Sequence, residues 1–152
     1  MTKWLTRAEQ DAWRVFLSTL PDLMAALEAD IAPHGLTMGD YEVLVRLSET
    51  AERRLRMCDL AGQLQLSPSG LTRRLDGLVR AGWVDRTSSP DDRRVMYARL
   101  TDDGMRKLEV AAPDHVASVR RHLVEPIGAA GMQQLGQLFT AVQAHLSQPV
   151  LA

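Results

Sequence analysis

Apolar residues recur at three- and four-residue spacing along most of the chain, and each run is bounded by residues that start or stop a helix. Thr6 and Glu9 form a capping box. Behind them come Trp13, Phe16, Leu17, Leu20, Leu23, Met24, Leu27 and Ile31. The spacing predicts one long amphipathic helix over Arg7–Ile31, kinked at Pro21 and closed by Gly35. Thr37 caps a second helix, with Leu36 and Tyr41 as its hydrophobic staple and Asp40 in the first turn, where the helix dipole favours a negative charge. Tyr41, Leu44, Val45 and Leu47 supply its buried side, and it fades by Glu49. The polar stretch 50–54 reads as a loop.

Leu55 opens a short strand, and 57–64 reads as a two-turn helix burying Leu60, Ala61 and Leu64. Ser67 then caps a fourth helix with Pro68 at its first position, and Leu66 and Leu71 make a second staple. Its buried stripe is Leu71, Leu75, Leu78 and Val79, and Gly82 supplies the left-handed residue that ends it. The period then changes to two. Residues 83–87 and 95–100 predict two antiparallel strands joined by the charged turn Ser88-Ser89-Pro90-Asp91-Asp92-Arg93-Arg94. Thr101 caps a helix running through Leu108, Val116, Val119 and Leu123, bent at Pro113. Pro126, Gly128 and Gly131 mark its end, and a last helix over about 132–147 carries Leu135, Leu138, Phe139, Val142 and Leu146. The fold class is mainly α: about six helices and a small antiparallel β-wing.

At 152 residues, 45% hydrophobic and 24% charged, the chain suits one domain or two small lobes. No apolar run approaches the roughly 20 residues of a membrane helix, and Met1-Thr2-Lys3-Trp4 leads into polar residues rather than a secretory core. The single cysteine, Cys58, rules out an internal disulfide framework. A cytoplasmic protein with no membrane partner is the expectation. Net charge is −1, but it is unevenly spread. Positions 52–99 hold 10 Arg/Lys against 6 Asp/Glu, a balance of +4, and the rest holds 8 against 13, a balance of −5. A basic middle between acidic ends suits a local anionic partner, although solvated surface arginines would give the same balance.

Two short helices joined by Gln65-Leu66-Ser67 form a helix-turn-helix, in which one helix braces while the other enters a major groove. Ser67, Ser69 and Gly70 are small enough for close approach, and amides at that end suit a phosphate. Arg73 is long enough to reach a guanine edge, Thr72 to touch a base or the backbone, and Arg74 to meet a phosphate. The following hairpin offers Arg93 and Arg94 to a narrow minor groove. Double-stranded DNA is therefore the expected partner. Either feature by itself is common in packing or on solvated surfaces; their succession is hard to explain as packing alone.

The stretch 55–104 resembles the winged helix of the MarR family of bacterial transcriptional regulators. The resemblance rests on Met57-Cys58-Asp59-Leu60-Ala61, on 66–78 and on Ala81-Gly82-Trp83-Val84-Asp85-Arg86. It continues with Pro90-Asp91-Asp92-Arg93-Arg94 and with Leu100-Thr101 followed by Gly104. With the flanking helices it covers roughly 6–147. It implies a homodimer, in which 1–36 and 104–152 form dimerisation helices and 37–103 the DNA-binding lobe. It also implies a near-palindromic operator, repression of transcription, and a wing shaped by pairing of Asp92 with Arg94. Family members often release DNA when a small aromatic or phenolic anion binds between the lobes. Here Trp13, Phe16, Leu17, Tyr41 and Met57 are the candidate lining, and Arg14 or Arg56 the anchor. The alternative for the aromatic residues is ordinary helix core.

Cys58 opens the brace helix, so a redox-sensing regulator is an alternative, as is a winged-helix module that binds protein. His34, His115, His122 and His145 include no pair at i, i+4, so no metal is expected. There is no GxSxG, no Gly-rich phosphate loop and no convergent acid–base set, so neither a cofactor nor an enzyme is expected.

Overall fold

The computed structural model describes residues 2–89, 92 and 94–147. Among these are six helices and three strands: α1 (Arg7–Ile31), α2 (Met38–Ser48), β1 (Arg54–Arg56), α3 (Met57–Gln63), α4 (Pro68–Arg80), β2 (Val84–Ser88), β3 (Met96–Leu100), α5 (Asp102–Val119) and α6 (Glu125–Leu146). The mainly α winged-helix expectation holds.

The helix starts follow from their caps. The Thr6 hydroxyl and backbone N–H both donate to the Glu9 carboxylate. Thr37 and Asp40 make a full capping box at α2. The Ser67 hydroxyl accepts from the Gly70 amide at 3.1 Å. α4 ends in a Schellman motif: Gly82, at φ 76°, donates to the Val79 carbonyl, and Trp83 to that of Leu78. The turn between α3 and α4 is built the same way, with a residue other than glycine. Gln65, at φ 53°, donates to Gly62, and Leu66 donates to Ala61.

Several boundaries differ from the sequence reading. The stretch 50–54 holds a tight helical turn, Ala51–Arg53, whose Glu52 and Arg53 have φ of 59° and 51°, and Arg54 belongs to β1. The strands begin after Trp83 and Val95. β1 adds to the predicted hairpin, giving a three-stranded antiparallel sheet in the order β1-β3-β2. A π-helical turn, Arg120–Val124, links α5 to α6. α6 starts at Glu125 rather than Met132, with a non-helical Gly128 inside it and Gly131 in the helix rather than at its end. Leu64 is only half-buried, and Val79 is 36% exposed because it lies one helical step beyond the stripe of Leu71, Leu75 and Leu78.

The chain divides into two compact units. Glu28–His115 forms one, around Val43, Leu44, Leu47, Leu60, Leu71, Leu75, Leu78, Val84 and Leu100, all nearly inaccessible. Thr101, the single residue between β3 and α5, is tied on both sides. Its N–H donates to the Trp83 carbonyl, its hydroxyl donates to the Gly82 carbonyl at 2.7 Å, and the same oxygen accepts from the Gly104 amide at 3.0 Å. A Cβ at Gly104 would overlap the Trp83 carbonyl, so the first turn of α5 seats on the sheet only with glycine there.

The other unit holds the described residues up to Leu27 and from Val116 onward. It buries almost nothing by itself: Leu27 and Ser118 are its only fully buried residues among those described. Trp13, Phe16, Leu20, Leu138, Phe139 and Val142 are all exposed to the extent of a third or more. A single chain leaves these stripes uncovered, where the sequence offers dimerisation helices and, as the alternative for the aromatic residues, ordinary helix core. Among the described residues, no helix is long and apolar enough to cross a membrane.

Candidate nucleic-acid interface

α4 presents the candidate reading surface because its apolar stripe is fully used on the core. Ser69, Thr72, Arg73 and Asp76 lie on the exposed side. Arg73 makes no hydrogen bond or ion pair with any described residue, so its guanidinium is free to bond elsewhere. The Thr72 hydroxyl donates to the Pro68 carbonyl at 2.9 Å, so its proton is used within the helix. Ser67 and Ser69 share a hydrogen bond at 3.2 Å. The anion-binding capacity of this helix start is smaller than the sequence suggested. Pro68 carries no N–H and the Gly70 and Leu71 amides already bond to Ser67, which leaves the Ser69 amide at the tip.

Arg74 is turned inward rather than toward a phosphate. Its Nη1 lies 3.4 Å from Thr37 Oγ1 and 3.9 Å from Asp40 Oδ1, over the bare backbone of Gly39. The physical reason is angular: position 74 points between the stripe and the reading face, toward the start of α2. Arg86, which the sequence reading did not single out, reaches from β2 to α4. Its Nη2 donates to the Thr72 carbonyl and to Asp76 Oδ1, each at 2.8 Å. A signal for it existed, since alternation from Val84 puts position 86 on the inward face of the strand, where a charge is out of pattern.

On the wing, Asp92 forms an Asx-type turn: its Oδ1 accepts from the Arg94 backbone N–H at 2.9 Å and its carbonyl from Val95. The implied pairing with Arg94 is therefore made through the backbone; among the described residues there is no ion pair between the two side chains. Arg94 is exposed. Arg93 lies outside the described residues.

Arg94, Val95 and Met96 also form one wall of a cavity of about 430 Å³. Arg56, Met57 and Cys58 form a second wall, and Pro68, Leu71 and Thr72 of α4 a third. Hydrogen bonding to the Tyr97 side chain raises the pKa of the Arg56 guanidinium, so a fixed cation stands at the rim. The Cys58 thiol donates to Asp59 Oδ1 at 3.5 Å.

The remaining candidate ligand residues lie elsewhere. Tyr41 is buried and packs on His115, ring centroids 4.4 Å apart. Trp13 and Phe16 stack on one another in the other unit, and Arg14 pairs with Asp11 at 3.3 Å. Phe16 and Leu17 are exposed there, and Phe16 faces a groove of about 740 Å³ between α1 and the C-terminal helices, lined also by Val15, Leu20, Leu123, Leu135 and Phe139. Among the described residues no group of three or more His, Cys, Asp or Glu could hold a metal ion.

Comparison with known proteins bears on this geometry. The MarR family model matches residues 36–96. The structure of AbsC, a MarR family transcriptional regulator from Streptomyces coelicolor, is similar, with a TM-score of 0.90 and 41% identity over 95% of this chain and 98% of that one. So is that of Sco3205, a MarR family regulator from the same organism in complex with DNA, with a TM-score of 0.92 and 32% identity over 98% and 94%. The transcriptional repressor YetL of Bacillus subtilis (strain 168) is 29% identical over 74% of this chain and 70% of its own length. The chain belongs to the MarR family of DNA-binding transcriptional regulators.

Proposed function

We propose that this regulator acts as a repressor: a homodimer binds a near-palindromic operator and occludes a promoter, and a small aromatic anion releases it. The observation that carries the DNA reading is the unpaired Arg73 at the centre of the exposed side of α4, beside a wing that ends in exposed Arg94. Arg73 has the reach and the free donor fork to address a guanine edge, with Ser69, Gly70 and Thr72 allowing the helix close to the bases. Arg94 suits the narrowed minor groove next to it. Similarity to a structure solved on DNA and to a named repressor favours the same reading.

The dimer is favoured by the unit that buries almost nothing. Its groove between α1 and α6 is apolar, and a second copy offers a complementary apolar helix at no further cost in sequence. Two wings related by a two-fold axis then address half-sites one helical turn apart.

The cavity between α4 and the wing is the best-formed ligand site within the DNA-reading unit. A flat ring would lie against Met57, Leu71 and Met96, with its carboxylate or phenolate at Arg56 or Arg94. Occupation would engage Arg94 and Thr72, which DNA also needs, so ligand and DNA binding oppose one another by linkage.

Selection of duplexes from a random pool, followed by gel shift at two salt concentrations, tests the reading. The expected result is sequence-selective, salt-sensitive binding that an aromatic acid such as salicylate weakens. Capture of duplexes with no common sequence would instead favour a protein-binding winged helix, and release on oxidation with loss of the effect in Cys58→Ser would favour redox control. Promoter activation rather than occlusion in a transcription assay would replace the repressor.

A further inference from the structure

β2 alternates inward from Val84, so Arg86 falls on the face that packs toward the helices, in register with Ala98 and, across the sheet, with Leu55. An arginine in that row has an energetic cost. Its side chain is 27% exposed, and its Nε is buried without a hydrogen-bond partner. Desolvating a guanidinium with one donor unmatched destabilises the fold relative to an apolar side chain of similar volume. What the arginine supplies is geometry. One nitrogen holds the Thr72 carbonyl and the Asp76 carboxylate, two points one turn apart on α4. Two points fix the rotation of a helix about its own axis as well as its distance from the wing. The residue between them on the reading face is Arg73. Asp76 is the only carboxylate on α4, and Arg86 is its ion-pair partner at 2.8 Å.

We infer that Arg86 is a positioning residue for DNA recognition, locking α4 and the wing in one rotational register so that Arg73 and Arg94 address neighbouring grooves together. The inference rests on α4 being the reading helix. It implies that losing Arg86 damages discrimination between sequences more than it damages attraction to DNA.

The test uses a duplex selected from a random pool by the wild-type protein, and a scrambled duplex of the same composition. Affinities of wild type, Arg86→Gln, Asp76→Asn and the double variant are measured for both duplexes across a salt series, together with melting temperature. Arg86→Gln is expected to lose about ten-fold or more on the selected duplex and little on the scrambled one, with the salt slope unchanged. Asp76→Asn should lose part of the same discrimination, and the double variant should be no worse than Arg86→Gln, because the two groups act as a unit. Equal losses on both duplexes, with a salt slope shallower by about one, would make Arg86 a phosphate contact. A lower melting temperature with discrimination intact would reduce it to a structural brace. Should Arg86→Gln fail to fold, Asp76→Asn decides, since Asp76 is about half exposed; undiminished discrimination in that variant overturns the inference. If the wild type selects no sequence at all, the premise that α4 reads DNA fails instead.

Discussion

Arg73 and Arg74 are neighbours of identical chemistry with opposite fates, and the difference is 100° of helix rotation. Arg73 projects free of the protein, whereas Arg74 is drawn onto Thr37 and Asp40 at the start of α2. Arg73→Ala should therefore cost about 1–3 kcal/mol of specific binding and relax selectivity at one base position. A panel of duplexes carrying single base changes checks this, and an equal loss on every duplex would reassign Arg73 to the backbone. Arg74→Ala should act through the α2–α4 packing instead. The sequence offered both as DNA contacts. Ser67, Ser69, Gly70, Thr72, Arg73 and Arg74 were legible as one candidate segment, but one residue's rotation about a helix decides between a partner inside the fold and an open side chain. The capping chemistry was legible because it is local: Thr6, Thr37, Ser67 and Thr101 each satisfy a donor within three residues.

Among the elements, the turn of the helix-turn-helix is set by a left-handed Gln65. A Cβ in that conformation meets the adjacent carbonyl, and glycine removes the conflict at some cost in chain entropy. Gln65→Gly should stabilise the protein by roughly 0.5–1 kcal/mol, with DNA affinity unchanged. Thermal melting and gel shift together check the pair of outcomes, and destabilisation would mean that the Gln65 side chain contributes more than its backbone. Nothing in the sequence marked this position, because the turn wants a glycine and does not have one. The third strand was only half visible for a similar reason. Leu55 is a single inward residue between Arg54 and Arg56, too short a run to show period-two alternation until it is paired with Ala98. The α5–α6 boundary was misplaced because Pro126 and Gly131 are both tolerated inside the helical path, and the break falls at Gly128 alone.

On the scale of the molecule, the long apolar stripes of α1 and α6 remain exposed in one chain, and the proposed second copy would cover them. On the proposed homodimer, Phe16→Glu should yield a species that sediments as a monomer at concentrations where the wild type sediments as a dimer, with loss of operator binding. Unchanged sedimentation would send the second copy to another surface. The unit at 28–115 carries its own pH response. Burial pushes the His115 imidazole below its ordinary range, and its Nδ1 is buried with no hydrogen-bond partner. At pH well above roughly 7 the ring is neutral both folded and unfolded and contributes no pH dependence. Below that, the unfolded chain takes up the proton first, so stability falls until the folded ring titrates as well. His115→Phe, which keeps a ring against Tyr41, should flatten the dependence of the melting temperature between about pH 7 and 5. Melting curves across that window check it, and an unaltered slope would move the effect to another group.

The join at Thr101 has a mechanical consequence. Three hydrogen bonds clamp the one residue between β3 and α5, and Gly104 seats the helix start directly on the Trp83 carbonyl. The hairpin thus has no slack at its root. A pull on the wing by a duplex is therefore expected to reach the first turn of α5, at Asp102, instead of being taken up as a bend at the root.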